Sequence, residues 1–455
     1  MNEDRFKEAV SAFKKAIKLD PNLVEAYEGL GMAYSELAHH REAEAVLLKA
    51  RDLRPDWHQV YSTLGYAYLR QKKFKKAEAS YKKARELAPG NVEPLIGLGE
   101  LYYAMGKFPR AEEVLGQALV MAPDHGLAMV ALGHVYQLEK RFKEAELEYK
   151  KAMEADPDLI APHIELADLY YYQRRYDQAE KEYRKALDMA PNDPAFKYDA
   201  LQGLGEVFLA RRQYDEAEKL MKAARNIIPA DVPAHYALST IYREKNQPEI
   251  AKKHLEKALK IDPLDTYVIA EAGNLALQQG DYEKAGEYFW KIFSIASLTS
   301  VGELKEKYDG GEIPRFACPY SMQETEVTRA WAYVGLGKID LLNKKPDEAK
   351  AKFRQALDVN PYEDTAMVGL GEASLLCENY RDALNWFKKA RKLNPYRESA
   401  WAGEGKSLLA MGKPRKALSA YKKALEIVPD YPPAVFGIES CKDALKKDGK
   451  PTKKK

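Results

Sequence analysis

A proline returns every 34 residues along most of this chain, and no other feature limits the possible folds so severely. Pro21, Pro55, Pro89, Pro123, Pro157 and Pro191 keep that spacing; Pro229 follows after 38, Pro263 after 34, and Pro361, Pro395 and Pro429 close the series. Their contexts match as well. KKAIKLDP, KKARELAP, KKAMEADP, RKALDMAP, EKALKIDP, RQALDVNP, KKARKLNP and KKALEIVP each read as an amphipathic helix end followed by a residue that cannot continue the helix. Units this short cannot bury a core alone, so each has to be completed by its neighbours.

Within a unit, two helical patterns are joined by a short polar turn. In the second full unit Tyr61, Leu64, Gly65 and Tyr68 share one helix stripe, and Ala77, Tyr81 and Ala84 share the next. Glycine and alanine let the helices approach, and tyrosine fills the space between them. This period and pattern resemble the tetratricopeptide repeat over almost the whole chain. The resemblance implies an all-α, right-handed superhelical α-solenoid of helix-turn-helix repeats. A hydrophobic share of 46% fits a folded chain, and no run of 18 apolar residues exists to span a membrane.

Counting in this register gives a half repeat plus seven full repeats over residues 1–263, an eighth at 264–297, an insertion at 298–320, three repeats in 321–431, a capping helix at 432–448 and a basic tail at 449–455. The opening residues NEDRFKEAVSAFKKAIKLDP read as a second helix without its first. Either a cut from a longer protein or a lone helix that caps the stack is expected, and the cut leaves an apolar face around Val10, Phe13 and Ile17 open to self-association. A seam is expected near Pro263. The first seven repeats put Tyr34, Tyr68, Tyr102, Tyr136, Tyr170, Phe208 and Tyr242 at one first-helix position, whereas the last four hold Ala276, Asp340, Ser374 and Leu408 there and place Phe289, Phe353, Phe387 and Tyr421 on the second helix. Asp340 and Glu404 stand where apolar groups are expected.

Catalytic, cofactor and metal motifs are not found: HExxH, GxSxG, GxGxxG with its carboxylate and paired Cys/His ligands are all missing. AWAGEGKS, Ala400 to Ser407, imitates a phosphate loop, but Trp401, Gly405 and Leu408 keep first-helix register, so its N–H groups are expected inside a helix. No enzyme activity and no cofactor are expected. The net charge of +3 tells against wholesale nucleic-acid binding, and the basic character is local to the tail. Cys318, Cys377 and Cys441 stand far apart without a CxxC, which suits free thiols and a cytoplasmic location, an upstream targeting segment being left open.

Function is then expected on a surface. In the family that the chain resembles, the first-helix stripe opposite the packing residues lines the concave groove where partner segments bind. On that stripe lie Glu100, Tyr103, His134, Gln137, Glu165, Asp168, Tyr171, Tyr172 and Glu206, with Glu93 and Asp199 at helix starts, and further along Arg243, Asn274, Trp331, Lys338 and Lys406. The middle of the stripe is acidic and rich in tyrosine, so a protein or peptide partner with a basic or amphipathic segment is expected there. The lysine and asparagine clamp that the family uses for acidic chaperone tails is not matched. The chain therefore reads as a protein-protein interaction scaffold; the alternative is a recruitment or regulatory part of a larger enzyme. The insertion, with Ile313, Phe316 and Tyr320 between two capping boxes (Ser300 with Glu303, Ser321 with Glu324), is expected to be extended there and either to bridge the seam as a decorated turn or to shape or occupy the groove, ahead of a first helix about two turns longer than its fellows.

Overall fold

The computed structural model describes residues 2–229, 231–296 and 322–448, and all regular structure among them is helical. Counting from the prolines lands on the observed helices. Val24–Glu36 pairs with His40–Leu53, His58–Arg70 with Phe74–Leu87, and the alternation runs on to Glu398–Ala410 with Pro414–Ile427 and a final helix, Pro432–Asp448. Two irregularities have simple locations. The 38-residue spacing places its extra residues in the first helix of the sixth repeat, Pro194–Ala210, with 17 residues instead of 13. The helix after the insertion, Met322–Leu342, has 21 residues, two turns beyond its fellows as expected. Ile313, Phe316, Tyr320 and the residues proposed for the capping box at Ser300 lie outside the described residues, as does Ser321 of the second box.

Every turn inside a repeat is built alike. One residue takes positive φ: Ala38, Lys72, Gly106, Lys140, Arg174, Arg212, Asn246, Gly280, Lys344, Glu378 and Gly412. Around it two backbone bonds close the helix end, as where Lys72 N–H donates to Leu69 C=O at 2.8 Å and Lys73 N–H to Tyr68 C=O at 2.9 Å. Glycine suits this left-handed position best, yet eight of these eleven turns use another residue, each at a cost of about 1 kcal/mol. What that position offers a side chain becomes important below.

The core is a row of rings gripped by glycines. Phe353 lies against Gly337 of its own repeat and Gly369 of the next, so close that a Cβ built on Gly369 would stand 2.3 Å from the ring. Phe289 meets Gly273 and Gly335 in the same way, Phe387 meets Gly371 and Gly403, and Tyr421 meets Gly405 and Gly437. The expected transfer of bulk to the second helix is real in the last four repeats but not confined to them. Tyr81 already sits between Gly65 and Gly97, and Tyr149 and Tyr183 are fully buried. The first-helix tyrosines have a polar duty instead. Tyr68, Tyr102, Tyr136 and Tyr242 donate their hydroxyls to Glu44, Glu78, Glu112 and Glu218 of the preceding second helix, at 3.1, 2.9, 3.0 and 2.8 Å. Lysines complete the arrangement: hydrogen bonds from Lys73 and Lys76 hold Glu44 down to about 2.

The chain falls into two compact units, Met1–Leu169 with Lys181–Ala200, and Tyr170–Glu180 with Leu201–Lys455. The change of aromatic pattern near Pro263 lies inside the second. In the first, the opening helix Asn2–Leu19 packs Val10, Phe13 and Ile17 on Leu30, Tyr34 and Ala43, so the face expected to be open is half-covered by the first repeat. In the second, Glu404 is buried and accepts a hydrogen bond from Arg391 at 2.5 Å, which accounts for a carboxylate at a packing position. Burial raises Asp340, with Lys352 and Lys345 opposing.

Candidate partner-binding surface

The ninth first-helix position of the 34-residue register forms the clearest series on the expected groove stripe. Along the first unit it is Met32, Tyr66, Glu100, His134 and Asp168; along the second, Glu206, Thr240, Asn274, Lys338, Glu372 and Lys406. Each projects from the side of the helix opposite the packed alanines and glycines.

In the first unit the rungs are partly committed. Glu165 meets His134 Nε2 at 2.9 Å; desolvation opposes the imidazolium, but Glu165 and Glu100 outweigh it and raise His134. Tyr183 donates its hydroxyl to Asp168, and Tyr149 donates to Gln137 at 3.0 Å. The ring of Tyr103 lies 6.2 Å from that of His134. Glu100 differs. Loss of solvent lifts its carboxyl above the ordinary range, His134 opposing and Glu93 adding to the shift. Asp199 behaves similarly and is pushed up to about 6 by desolvation, then by Glu165 and Asp193. Neither meets a lysine or arginine among the described residues.

In the second unit the same desolvation acts on both signs. Glu206 is pushed up to about 7, and Gln202, whose amide donates to it at 3.3 Å, opposes only weakly. Lys338 is drawn below the usual lysine range by desolvation although Glu372 favours its charge, and Glu372 is raised. All three lie on the stripe; Lys338 and Glu372 are exposed and Glu206 is half-buried. Tyr171 and Tyr236 flank Glu206 electrostatically, and burial raises both phenols well above their normal value. Arg243, by contrast, is spoken for: it donates to Glu271 at 2.8 Å and Glu244 at 2.7 Å. Tyr172 stacks edge-on against Tyr362, with centroids 5.6 Å apart. Asn274 is half-buried on its rung.

The sequence reading missed Glu372, which continues the 34-residue series from Lys338 to Lys406 and was legible from it. It also missed Arg174, Arg212 and Arg397, whose partners lie far away in sequence. The imitation phosphate loop is helix throughout: Glu398–Ala410 is unbroken, and Ser407 Oγ donates to Gly403 C=O at 2.8 Å. Among the described residues no group of three His, Cys, Asp or Glu could hold a metal ion, and no helix is long and apolar enough to cross a membrane.

Family models described as tetratricopeptide repeat match residues 68–133 and 208–272, residues 30–92, 164–232 and 329–398, and residues 128–159 and 398–431; another, described as TPR repeat, matches 3–37. Together they match most of the chain and leave residues 273–328 and 432–455 as the main unmatched stretches. The chain is a tetratricopeptide repeat protein. Tetratricopeptide repeats generally mediate protein-protein interactions, and the fold is typically a non-catalytic scaffold. No curated protein matches the sequence. Among solved structures, it is similar to a tetratricopeptide repeat protein from Parabacteroides merdae at 18% identity, covering 62% of this chain and 98% of that one with a TM-score of 0.46. PilF of Pseudomonas aeruginosa follows at 20% identity, 46% and 94% coverage and a TM-score of 0.37. A human IFIT1 dimer with m7Gppp-AAAA gives 15% identity, 94% and 95% coverage and a TM-score of 0.48.

Proposed function

We propose that this protein is a scaffold that performs no reaction itself and holds a basic, amphipathic segment of a partner protein on its first-helix stripe. The observation that carries the reading is Glu206, half-buried on the stripe, lifted by desolvation and met by no lysine or arginine among the described residues. Glu100 and Asp199 are exposed acids of the first unit that also meet no lysine or arginine there. A carboxylate held like Glu206 has already lost part of its hydration, so a lysine or arginine arriving from a partner gains more than it would at a fully solvated acid. Tyr171 and Tyr236 around Glu206 supply ring faces for the apolar side of the segment and for cation-π contact, as Tyr103 does on Glu100's own helix in the first unit. Asp168, His134 and Glu165 orient this surface through the bonds they already make.

The test uses a synthetic amphipathic helix with lysines on one face and leucines on the other, and a counterpart with glutamate for lysine. Anisotropy titrations should show binding of the lysine peptide only. Glu206→Gln should weaken it by about tenfold, ~1.4 kcal/mol, and flatten its salt dependence. Equal binding of both peptides, or an unchanged affinity in the Glu206→Gln variant, overturns the reading.

A further inference from the structure

Two coincidences in the second unit point to a device that the repeat pattern alone does not contain. Among the eleven turn residues with positive φ, arginine occurs twice, as Arg174 and Arg212. Among the opening residues of the first helices as the 34-residue register counts them, an acid occurs twice, as Asp364 and Glu398. These four residues find one another across some 190 positions of chain. Arg174 Nε stands 3.5 Å from Asp364 Oδ1 and donates to Tyr362 C=O at 3.3 Å, and its Nη2 is 3.5 Å from Glu363. Arg212 reaches Glu398 with both Nε and Nη2, at 3.2 and 3.0 Å. The turns of the fifth and sixth repeats thus meet the first-helix starts of the tenth and eleventh, one edge of the helical ribbon against its other edge.

Around these ion pairs the seam is made of ring edges and further polar bonds. Tyr172 meets Tyr362, Tyr176 meets Tyr396 at 6.3 Å between centroids, and the Tyr396 hydroxyl donates to Asp177 at 3.0 Å. Arg397 braces the acid side, donating to Asp364 at 2.6 Å. On the basic side Glu244 accepts from Arg212 and, at 2.7 Å, from Arg243. Arg243 belongs to the groove stripe, so a continuous chain of charge runs from the groove to the seam. Glu206 lies in the helix that leads directly into the Arg212 turn.

We propose that this seam is an electrostatic latch that closes the second unit's groove from the side, and that a partner segment gains the half-buried Glu206 by its opening. The proposal rests on the groove reading above for the occupant, a basic amphipathic segment, but not for the latch itself. Charge complementarity in register holds the seam together. The arginine ends keep 14–15% of their side-chain surface in water while their acids keep 8% or less, so salt weakens these pairs only in part and removal of the guanidinium weakens them more. A cation in the partner that engages Glu244 competes directly for the group that steadies Arg212.

The decisive measurement is a spin-label distance across the seam, between Gln213→Cys and Lys392→Cys in a protein whose Cys318, Cys377 and Cys441 are replaced. A single narrow distance is expected at low salt, with a second, longer population in 1 M NaCl and in the Arg174→Gln/Arg212→Gln variant. In parallel, a short bismaleimide joining Tyr172→Cys to Tyr362→Cys should slow association of the lysine peptide at least tenfold, whereas the double arginine variant should speed it. One unchanged narrow distance under all conditions overturns the latch, as does an unaltered association rate in the cross-linked protein. Should the double variant lose its helical circular dichroism, the salt series and the cross-link decide alone. If no form binds the peptide, the groove reading fails while the distances still judge the latch.

Discussion

Glu206 offers the sharpest single test, because its carboxyl is displaced from 4.5 to about 7 with desolvation as the main cause. The unfolded chain releases this proton near 4.5 and the folded protein near 7. Between those values the folded state binds more protons, so stability falls as pH rises and stays reduced above pH 7. At 1.36 kcal/mol per unit the ceiling is about 3 kcal/mol, and partial access to water brings the expected value nearer half of that. Glu206→Gln should therefore leave stability unchanged at pH 4.5 and raise it at pH 8. Because repeat proteins unfold in stages, amide hydrogen exchange in Pro194–Ala210 measures this better than a global melt. Binding gives an independent reading. At pH 6.5 a group with a pKa of about 7 is roughly three-quarters protonated. A lysine that pairs with it must expel that proton, so calorimetry in buffers of different ionisation heat should detect roughly 0.7 proton released per peptide, and almost none with Glu206→Gln. Equal proton release by the two proteins, or a wild-type exchange profile that does not vary between pH 5 and 8, would refute the reasoning.

Three other outcomes are expected. Gly369→Ala should destabilise the second unit by ~1–3 kcal/mol, because its Cβ collides with the Phe353 ring, while Gly116→Ala, with nothing within 4 Å, should stabilise its helix by up to ~1 kcal/mol; thermal melts that rank them otherwise contradict the packing account. Tyr136→Phe should cost about 1 kcal/mol by removing a hydroxyl bond to Glu112, a loss that would be missing if Arg141, 4.1 Å over the ring, did all the holding. His254, drawn down to about 4 by desolvation, then by His235 at 3.0 Å and by Lys257, Arg225 and Lys222, stays neutral in the fold while the unfolded chain protonates near 6.5. The seventh repeat should thus lose up to ~3 kcal/mol as pH falls from 6.5 to 4, and His254→Gln should flatten that slope in exchange experiments.

The repeat register was legible in the sequence because each repeat's own residues determine it. Proline stops a helix wherever it stands, and alanine and glycine at fixed offsets require a close neighbour. That local logic reached the length of Met322–Leu342 and the helices behind Asp340 and Glu404. The Tyr–Glu bonds could have been found too, since each joins residues 24 apart. The contacts of Arg174 and Arg212 could not. They depend on the small rotation from each repeat to the next, accumulated over five repeats, and no local pattern encodes that sum. The chemistry of the stripe residues depends on which side chains of neighbouring helices reach them, and this separates Glu206, which accepts from Gln202, from Arg243, which donates to Glu271 and Glu244.

The rings between paired glycines also bear on how such a chain can be rebuilt. Each ring occupies a slot cut half from its own repeat and half from the following one, like a tenon shared by two timbers. A 34-residue block lifted from the tenth repeat carries the Phe387 ring with the Gly371 half of its slot, and leaves the Gly403 half behind. Shuffling whole repeats therefore breaks fit at a joint where the rings differ, whereas a repeat rejoined to a slot for the same ring should seat. Evolution or engineering by duplication is free within the last four repeats, whose rings and slots match, and obstructed where Met221 or Leu255 stands in the ring's place.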